Sequence, residues 1–363
     1  MSTQQMLDGI RILDLSRLLP GPACTWYLQG LGASVDRIEP LGGDLARHIP
    51  PFVDGVGVYF RCFAQGKRSL TLDTRQPEAQ SLIRKLLPHY DVLVEGFKPG
   101  VLETMGLEPD QLLREHAHLV IARLSGYGQS GPMRDRPGHD INYISLTGLL
   151  SAQAVHEDQL ALPAVQIADM CGALTAAMSI SAALVKRFRT GKGQVIDVSL
   201  TDSALALSAP LLAGAIGESR LLKAGGEALS GGASFYRCYR CADGRWVAVG
   251  AIEPKFQKPL LDRFGGLSEE TLAMGFQKET SDYWEEALKE ACVTKVRTAE
   301  EAVQDEHFVI RGRVRNGQVL PPIGDIRGKL SAPGEDGRAI LRDAGVHEKD
   351  IVEALTSGAL SLD

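Results

Sequence analysis

Residues 10–16 read IRILDLS, residues 22–33 read PACTWYLQGLGA and residues 34–40 read SVDRIEP. The first and third are β-rich runs, and the second carries apolar residues at helical spacing, so together they predict a strand–helix–strand unit. Glu39, at the end of the second run, stands where a dinucleotide fold would hold a ribose. The turn after the first run, however, is RLLPGPA (17–23) rather than G-x-G-x-x-G, which argues against a nicotinamide cofactor.

The unit recurs downstream. SLTLD (69–73), the helical pattern PEAQSLIRKLLPHY (77–90), DVLVEGF (91–97), QLLREHA (111–117) and LVIARLSG (119–126) alternate as strand, helix, strand, helix, strand. That alternation predicts an α/β protein with a parallel sheet covered by helices, Rossmann-like in architecture. A helix is expected from about Asp140 and a long one from Asp169 to about Thr190, stopped by GKGQ (191–194) and followed by strand VIDVSL (195–200). Residues 1–200 therefore read as a large domain. Residues 201–235, small, apolar and then rich in glycine, read as a linker, and residues 236–310 as a smaller α+β domain. The tail from about 321 to 363, with helical patterns RAILRDAG and EKDIVEALTSG, is assigned back to the large domain.

The totals are consistent with this division. A chain of 363 residues is long for one core. Its 39 basic and 45 acidic side chains give a formal charge of −6, which argues against a nucleic-acid partner but leaves room for local basic patches that would meet a phosphorylated ligand. The longest uncharged stretch, Met170–Val185, falls short of the roughly 20 apolar residues of a membrane span and reads as a buried helix. MSTQQMLDG (1–9) has no basic segment leading into an apolar run, so a cytoplasmic location with six reduced cysteines is expected. Cys238 and Cys241 form a C-x-x-C, but no second pair or histidine cluster accompanies it. The surrounding SFYRCYRCADGRWVAVGA (234–251) reads as a hairpin, so no metal is expected there.

Two stretches carry candidate chemistry. RPGHDINY (136–143) places His139 and Asp140 after Pro-Gly, and QIADMCG (166–172) places Asp169 in an apolar setting; a helical pattern follows each. His139 and Asp169 could flank a reacting carbon. As residue types they could equally end a turn and cap a helix, and Asp140 is expected to cap the helix that follows it.

LDLSRLLPGP (13–22), GASVDRIEP (32–40), KRSLTLD (67–73), EGFKPG (95–100), SGYGQSGP (125–132), GHDINY (138–143), GKGQVIDVSL (191–200) and GAIEPKF (250–256) occur in order and together resemble the family III CoA-transferases (CaiB/BaiF type), and within them the α-methylacyl-CoA racemases. The resemblance implies a Rossmann-like large domain plus a small domain in an interlocked homodimer, and an acyl-CoA thioester substrate with no further cofactor. It implies that His139 and Asp169, 30 positions apart, are the two acid/base groups of a racemase, that Asp169 would be the acyl-carrying nucleophile of a transferase, and that Glu253 lies near the bases across the dimer interface. Arg37, Lys67, Arg68, Leu72, Arg75 and Lys98 fall in the segments that hold CoA in the family, with Leu18, Leu19 and Pro20 beside the pantetheine arm. This sequence departs from the family pattern at Lys295, where relatives usually have proline, at Gly66, and in a shortened stretch before Cys292.

The chemistry fits those residue types. Inverting a carbon next to a thioester requires one group to remove a proton from one face and another to return one to the opposite face, each typically worth about 10²- to 10⁴-fold in rate. A histidine and a buried carboxylate can both titrate near neutrality. The enolate oxygen needs donors, which the backbone N–H groups of Met170, Cys171 and Gly172 would supply if Asp169 opens its helix.

Overall fold

The computed structural model describes residues 5–156, 159–222 and 225–362. The opening segment forms β1 (Arg11–Asp14), α1 (Pro20–Gly30) and β2 (Ser34–Glu39). There follow β3 (Arg68–Leu72), α2 (Pro77–Leu86), β4 (Val92–Glu95), β5 (Val120–Ser125), α3 (Asp140–Ser145), α4 (Ile167–Thr190), β6 (Gln194–Ser199) and α5 (Leu200–Leu207). A smaller set comes next: β7 (Tyr236–Arg240), β8 (Trp246–Gly250), α6 (Pro254–Phe264), α7 (Glu269–Phe276), α8 (Ser281–Ala287) and β9 (Val293–Lys295). The chain ends with α9 (Gly337–Asp343), α10 (Glu348–Thr356) and β10 (Leu360–Ser361).

The main sheet has the order β6-β5-β4-β1-β2-β3-β10, parallel throughout except for β10, which runs antiparallel along β3. Its central strands β1, β4 and β5 are mostly apolar and buried because helices cover both faces. Ile12, Val35, Val92, Val94, Val120 and Ala122 point to the face covered by α1 and α4, while Leu13, Ile38, Leu70, Leu93 and Ile121 point to the face covered by α2, α9 and α10. On the first face α4 turns Ala173, Ala176, Ala177 and Ile180 inward, and these small side chains let it pack closely along the sheet and against α1. Length and hydropathy would allow α4 to cross a bilayer, but this alanine stripe is buried in the core.

The sheet order fixes where a ligand can sit. From β1 the chain moves outward through β2 and β3, then returns to the other side of β1 with β4 and continues through β5 to β6. The loops leaving β1 and β4 therefore diverge at the carboxyl edge, and the crevice between them is the switch point at which open α/β sheets bind ligands.

Two compact units partition the chain. The first runs through Thr147, resumes over Val165–Leu207 and again from Ile310; the second comprises Gly148–Ala164 and Ser208–Val309. The tail thus returns to the first unit and adds β10 to its sheet. Gly148–Ala164, placed by the sequence reading in the large domain, clusters with the second unit. The stretch read as a linker opens instead with α5 and a further helix, Ala209–Gly217. In the second unit β7 and β8 form the expected hairpin and β9 adds a third strand, over a core of Tyr239, Val247, Leu272, Phe276 and Trp284. Cys238 is exposed and Cys241 buried.

Candidate active site

At the switch point the loops after β1, β4 and β5 enclose a cavity of 340 Å³ whose wall includes both His139 and Asp169. The two are brought there by different elements. His139 is the N-cap of α3, and its backbone N–H donates to Asn142 Oδ1 (3.0 Å). Asp169 is the third residue of α4, whose N-cap is Gln166. The helix starts two residues earlier than the sequence suggests, so Asp169 does not cap it.

That shift changes two expectations. The amide of Met170 donates to Gln166 O (3.0 Å), and Cys171 and Gly172 follow inside the helix, so these are not free oxyanion donors. Of the first-turn amides of α3 and α4, that of Asn142 donates to His139 O (2.8 Å) and that of Asp169 to Asp140, while the helices themselves supply no partner for the others. Asp140 does not cap its own helix; its Oδ1 accepts the backbone N–H of Asp169 (3.0 Å) and ties α3 to the first turn of α4. Burial, and then the nearby Asp140 carboxylate, push the Asp169 carboxyl up to about 7. The same two causes raise the neighbouring Cys171 thiol.

Tyr143 forms part of the wall. Its hydroxyl donates to Gly138 O (2.5 Å), and its ring meets Tyr127 edge-on at 5.1 Å. A Cβ on Gly126 or Gly138 would come within 2.5 or 2.7 Å of that ring, so the glycine before His139 is required by the close approach of Tyr143. Burial, and next the Asp169 charge, push the Tyr143 phenol up to about 12.

Arg17, Lys98, Arg134 and Arg136 also line this cavity. Of these, the sequence reading singled out only Lys98. Arg17 lies three residues past the carboxyl end of β1 and packs its guanidinium over Phe97 (5.2 Å), a placement that the carboxyl-end rule could have found. Arg134 and Arg136 bracket Asp135 in the loop before Pro-Gly-His and carry no such signal.

A second cavity, of 810 Å³, shares Arg17, Leu18, Gly96, Phe97 and Lys98 with the first and adds Leu72, Asp73 and Arg75. Leu72 is a buried wall residue. Arg75 is exposed and pairs with Asp73 (2.8 Å), whose carboxyl it holds below the usual carboxylate range.

The remaining basic candidates lie elsewhere. Arg37 is 2% exposed and donates to Asp44 Oδ2 (2.7 Å), beneath the β1–α1 turn rather than at a cavity wall. Lys67 is also 2% exposed and donates to Pro22 O (2.8 Å) and Thr25 Oγ1 (2.6 Å); burial pulls its pKa down to about 7 against the opposing pull of Asp14. Arg68 opens β3 at the amino-terminal edge of the sheet, where it pairs with Asp36 (2.7 Å) and Asp343 (2.7 Å) and lies away from the cavity that holds His139 and Asp169. Both faces of a central parallel strand are covered, so charges within it are buried and paired with other side chains. Glu253 lies in the second unit, exposed, as N-cap of α6. Among the described residues no group of three or more His, Cys, Asp or Glu side chains could hold a metal ion.

Residues 7–319 match the model of the family described as CoA-transferase family III. The chain belongs to that family. Within CoA-transferase family III it is 38% identical over 326 residues to an alpha-methylacyl-CoA racemase of Homo sapiens, covering 84% of this chain and 81% of the relative. It is 28% identical over 385 residues to a succinyl-CoA–D-citramalate CoA-transferase of Chloroflexus aurantiacus, covering 95% and 96%. Among solved structures it is similar to a CAIB/BAIF family protein from Brucella suis, with a TM-score of 0.80, 26% identity and coverage of 94% and 100%.

Proposed function

We propose that the protein inverts the carbon α to the thioester of a 2-methylacyl-CoA, one of His139 and Asp169 taking the α-proton and the other returning a different proton to the opposite face. The observation that carries this reading is the pairing, in one cavity, of a histidine with a carboxyl group whose pKa is pushed up to about 7. A base that must act as an acid in the reverse direction works best when its pKa lies near the working pH. In one direction Asp169, ionised, removes the α-proton and the imidazolium of His139 returns one to the opposite face; in the other the roles exchange. The enolate formed between the two steps would draw donors from the first-turn amides of α3 and α4 other than those of Asn142 and Asp169. Arg17, Arg75, Lys98, Arg134 and Arg136 supply the positive charge that the phosphates of CoA require. Proton transfer at a carbon acidified by a thioester calls for bases alone, so no metal or redox cofactor is included.

A second reading is favoured by the transferase among the relatives. Asp169, as the nucleophile, would attack the thioester carbonyl and expel CoA, leaving an aspartyl anhydride. Two experiments separate them. In D₂O a two-base racemase places deuterium at the α-carbon of the inverted product, and His139→Ala loses inversion by at least about 10²-fold. A transferase leaves that hydrogen in place and yields an aspartyl hydroxamate when incubated with acyl-CoA and hydroxylamine. Inversion at the wild-type rate in His139→Ala would refute the first reading.

We further propose a homodimer. Leu174, Met178, Val185 and Phe188 on α4 are large apolar side chains left exposed, as a face awaiting a second copy would be. In such a dimer Glu253 would serve the partner's His139. A single-chain mass by sedimentation at micromolar concentration would rule this out.

A further inference from the structure

The two cavities at the carboxyl edge meet along one short turn. Arg17 and Leu18, after β1, and Gly96, Phe97 and Lys98, after β4, line both. Leu18 has φ +61, the left-handed region that a branched side chain adopts only when its surroundings impose it. The turn therefore needs an anchor, and a buried charge pair lies directly beneath it. The backbone N–H of Leu18 donates to Asp44 Oδ2 (3.3 Å), and the same oxygen takes the Arg37 guanidinium (2.7 Å). Arg37 also reaches Ser16 O (3.5 Å), and Asp44 Oδ1 accepts from Ala46 N (2.8 Å). On the other side of the turn Asp14 holds the Ser16 amide (2.9 Å), and a Cβ on Gly21 would strike Ser16 at 2.1 Å. Arg37 and Asp44 are 2% and 1% exposed at the side chain.

We propose that Arg37 is a positioning residue: paired with Asp44, it clamps the left-handed turn at Leu18 and so sets the passage between the two cavities through which the thioester arm of the substrate runs. The clamp rests on the reading of the substrate as a CoA thioester only for its consequence; its geometry stands without it. Arg37 acts through the turn and makes no contact with a phosphate.

The test uses the full-length protein and the double variant Arg37→Met/Asp44→Leu, which removes the clamp without stranding a buried charge. Two substrates are compared, an acyl-CoA and the same acyl group on pantetheine, which lacks the nucleotide and its phosphates. Loss of the clamp lowers kcat/KM on both by the same factor, at least about tenfold, and accelerates hydrogen exchange at the Leu18 amide by a similar factor. Adding Leu18→Gly, which accepts positive φ without strain, recovers part of the loss in the double variant while lowering activity in the wild type. If the double variant does not fold, Arg37→Lys, which keeps the charge pair, is expected to show a severalfold loss that is again equal on the two esters. A loss confined to the CoA ester would make Arg37 a phosphate ligand and overturn the proposal. So would unchanged kinetics on both esters, or an unchanged Leu18 exchange rate. Wild-type protein that turns over neither ester would sink the proposed function, and the exchange measurement would still decide the clamp.

Discussion

Replacing Asp169 with asparagine is expected to make the protein more stable at pH 8 while abolishing its chemistry. The carboxyl is pushed from 3.8 up to about 7 by burial, with Asp140 adding to the effect. A carboxyl with a raised folded-state pKa contributes stability that is fully present below the unfolded value and is lost as pH rises through the folded one. Between about pH 4 and 7 the wild type should therefore lose up to about 1.4 kcal/mol per pH unit from this site alone, with a ceiling near 4 kcal/mol. Asp169 lines an open cavity and water reaches part of it, so about half that ceiling, roughly 2 kcal/mol, is the expected gain. Asparagine keeps the size of the side chain, leaves the backbone bond to Asp140 in place and carries no charge at any pH. Urea denaturation of wild type and Asp169→Asn at one protein concentration, from pH 4.5 to 8, measures the difference. The two curves should meet near pH 4.5 and separate in favour of the variant as pH rises. A variant no more stable than the wild type at pH 8 would refute the argument, because it would mean that the ionised carboxylate is not held at a cost and is not poised to take and return a proton.

Three further outcomes follow from the same geometry. Asp140→Asn, which keeps an acceptor for the Asp169 amide but removes the charge, should move the ionisation of Asp169 to lower pH, read from the pH–rate profile or from ¹³C NMR of the labelled carboxyl; an unmoved ionisation would leave burial as its only cause. Gly324→Ala should lower stability by roughly 2–4 kcal/mol in urea denaturation, because a Cβ there would lie 1.6 Å from Gly30 O at a φ of +78. Cys24, buried and with its thiol held far above the ordinary range, should stay silent to dithionitrobenzoate until the protein unfolds, whereas the exposed Cys238 and Cys292 should react in the native state.

How far the site can be read from sequence depends on whether a contact is local. The strands are legible because RILD, VLVE and VIARLS are short apolar runs that need cover on both faces, and their order of appearance with intervening helices already implies a parallel sheet. The opening of α4 is not legible in the same way. Aspartate is favoured at an N-cap, and by residue type Asp169 fills that role. The actual N-cap is Gln166, and the carboxylate that satisfies an amide of the first turn comes from Asp140, 29 residues earlier on another helix.

The basic residues divide along the same line. Arg37, within SVDRIE, and Lys67, just before RSLTL, share with Arg75 and Lys98 a place in segments that resemble the family's CoA-holding ones, but a position near a strand does not say which end or which layer. Arg75 and Lys98 follow the carboxyl ends of their strands and reach the cavities. Arg68 begins its strand and therefore belongs to the opposite edge, a distinction that the order of residues in KRSLTLD already contains. Arg37 lies inside a strand whose last five residues are all buried, and there a guanidinium must find a carboxylate; Asp44 provides it. Charge near this parallel sheet thus divides by position along the strand: Arg75 and Lys98, past the carboxyl ends, line the cavities, and Arg37 and Arg123, within strands, are buried and paired with carboxylates.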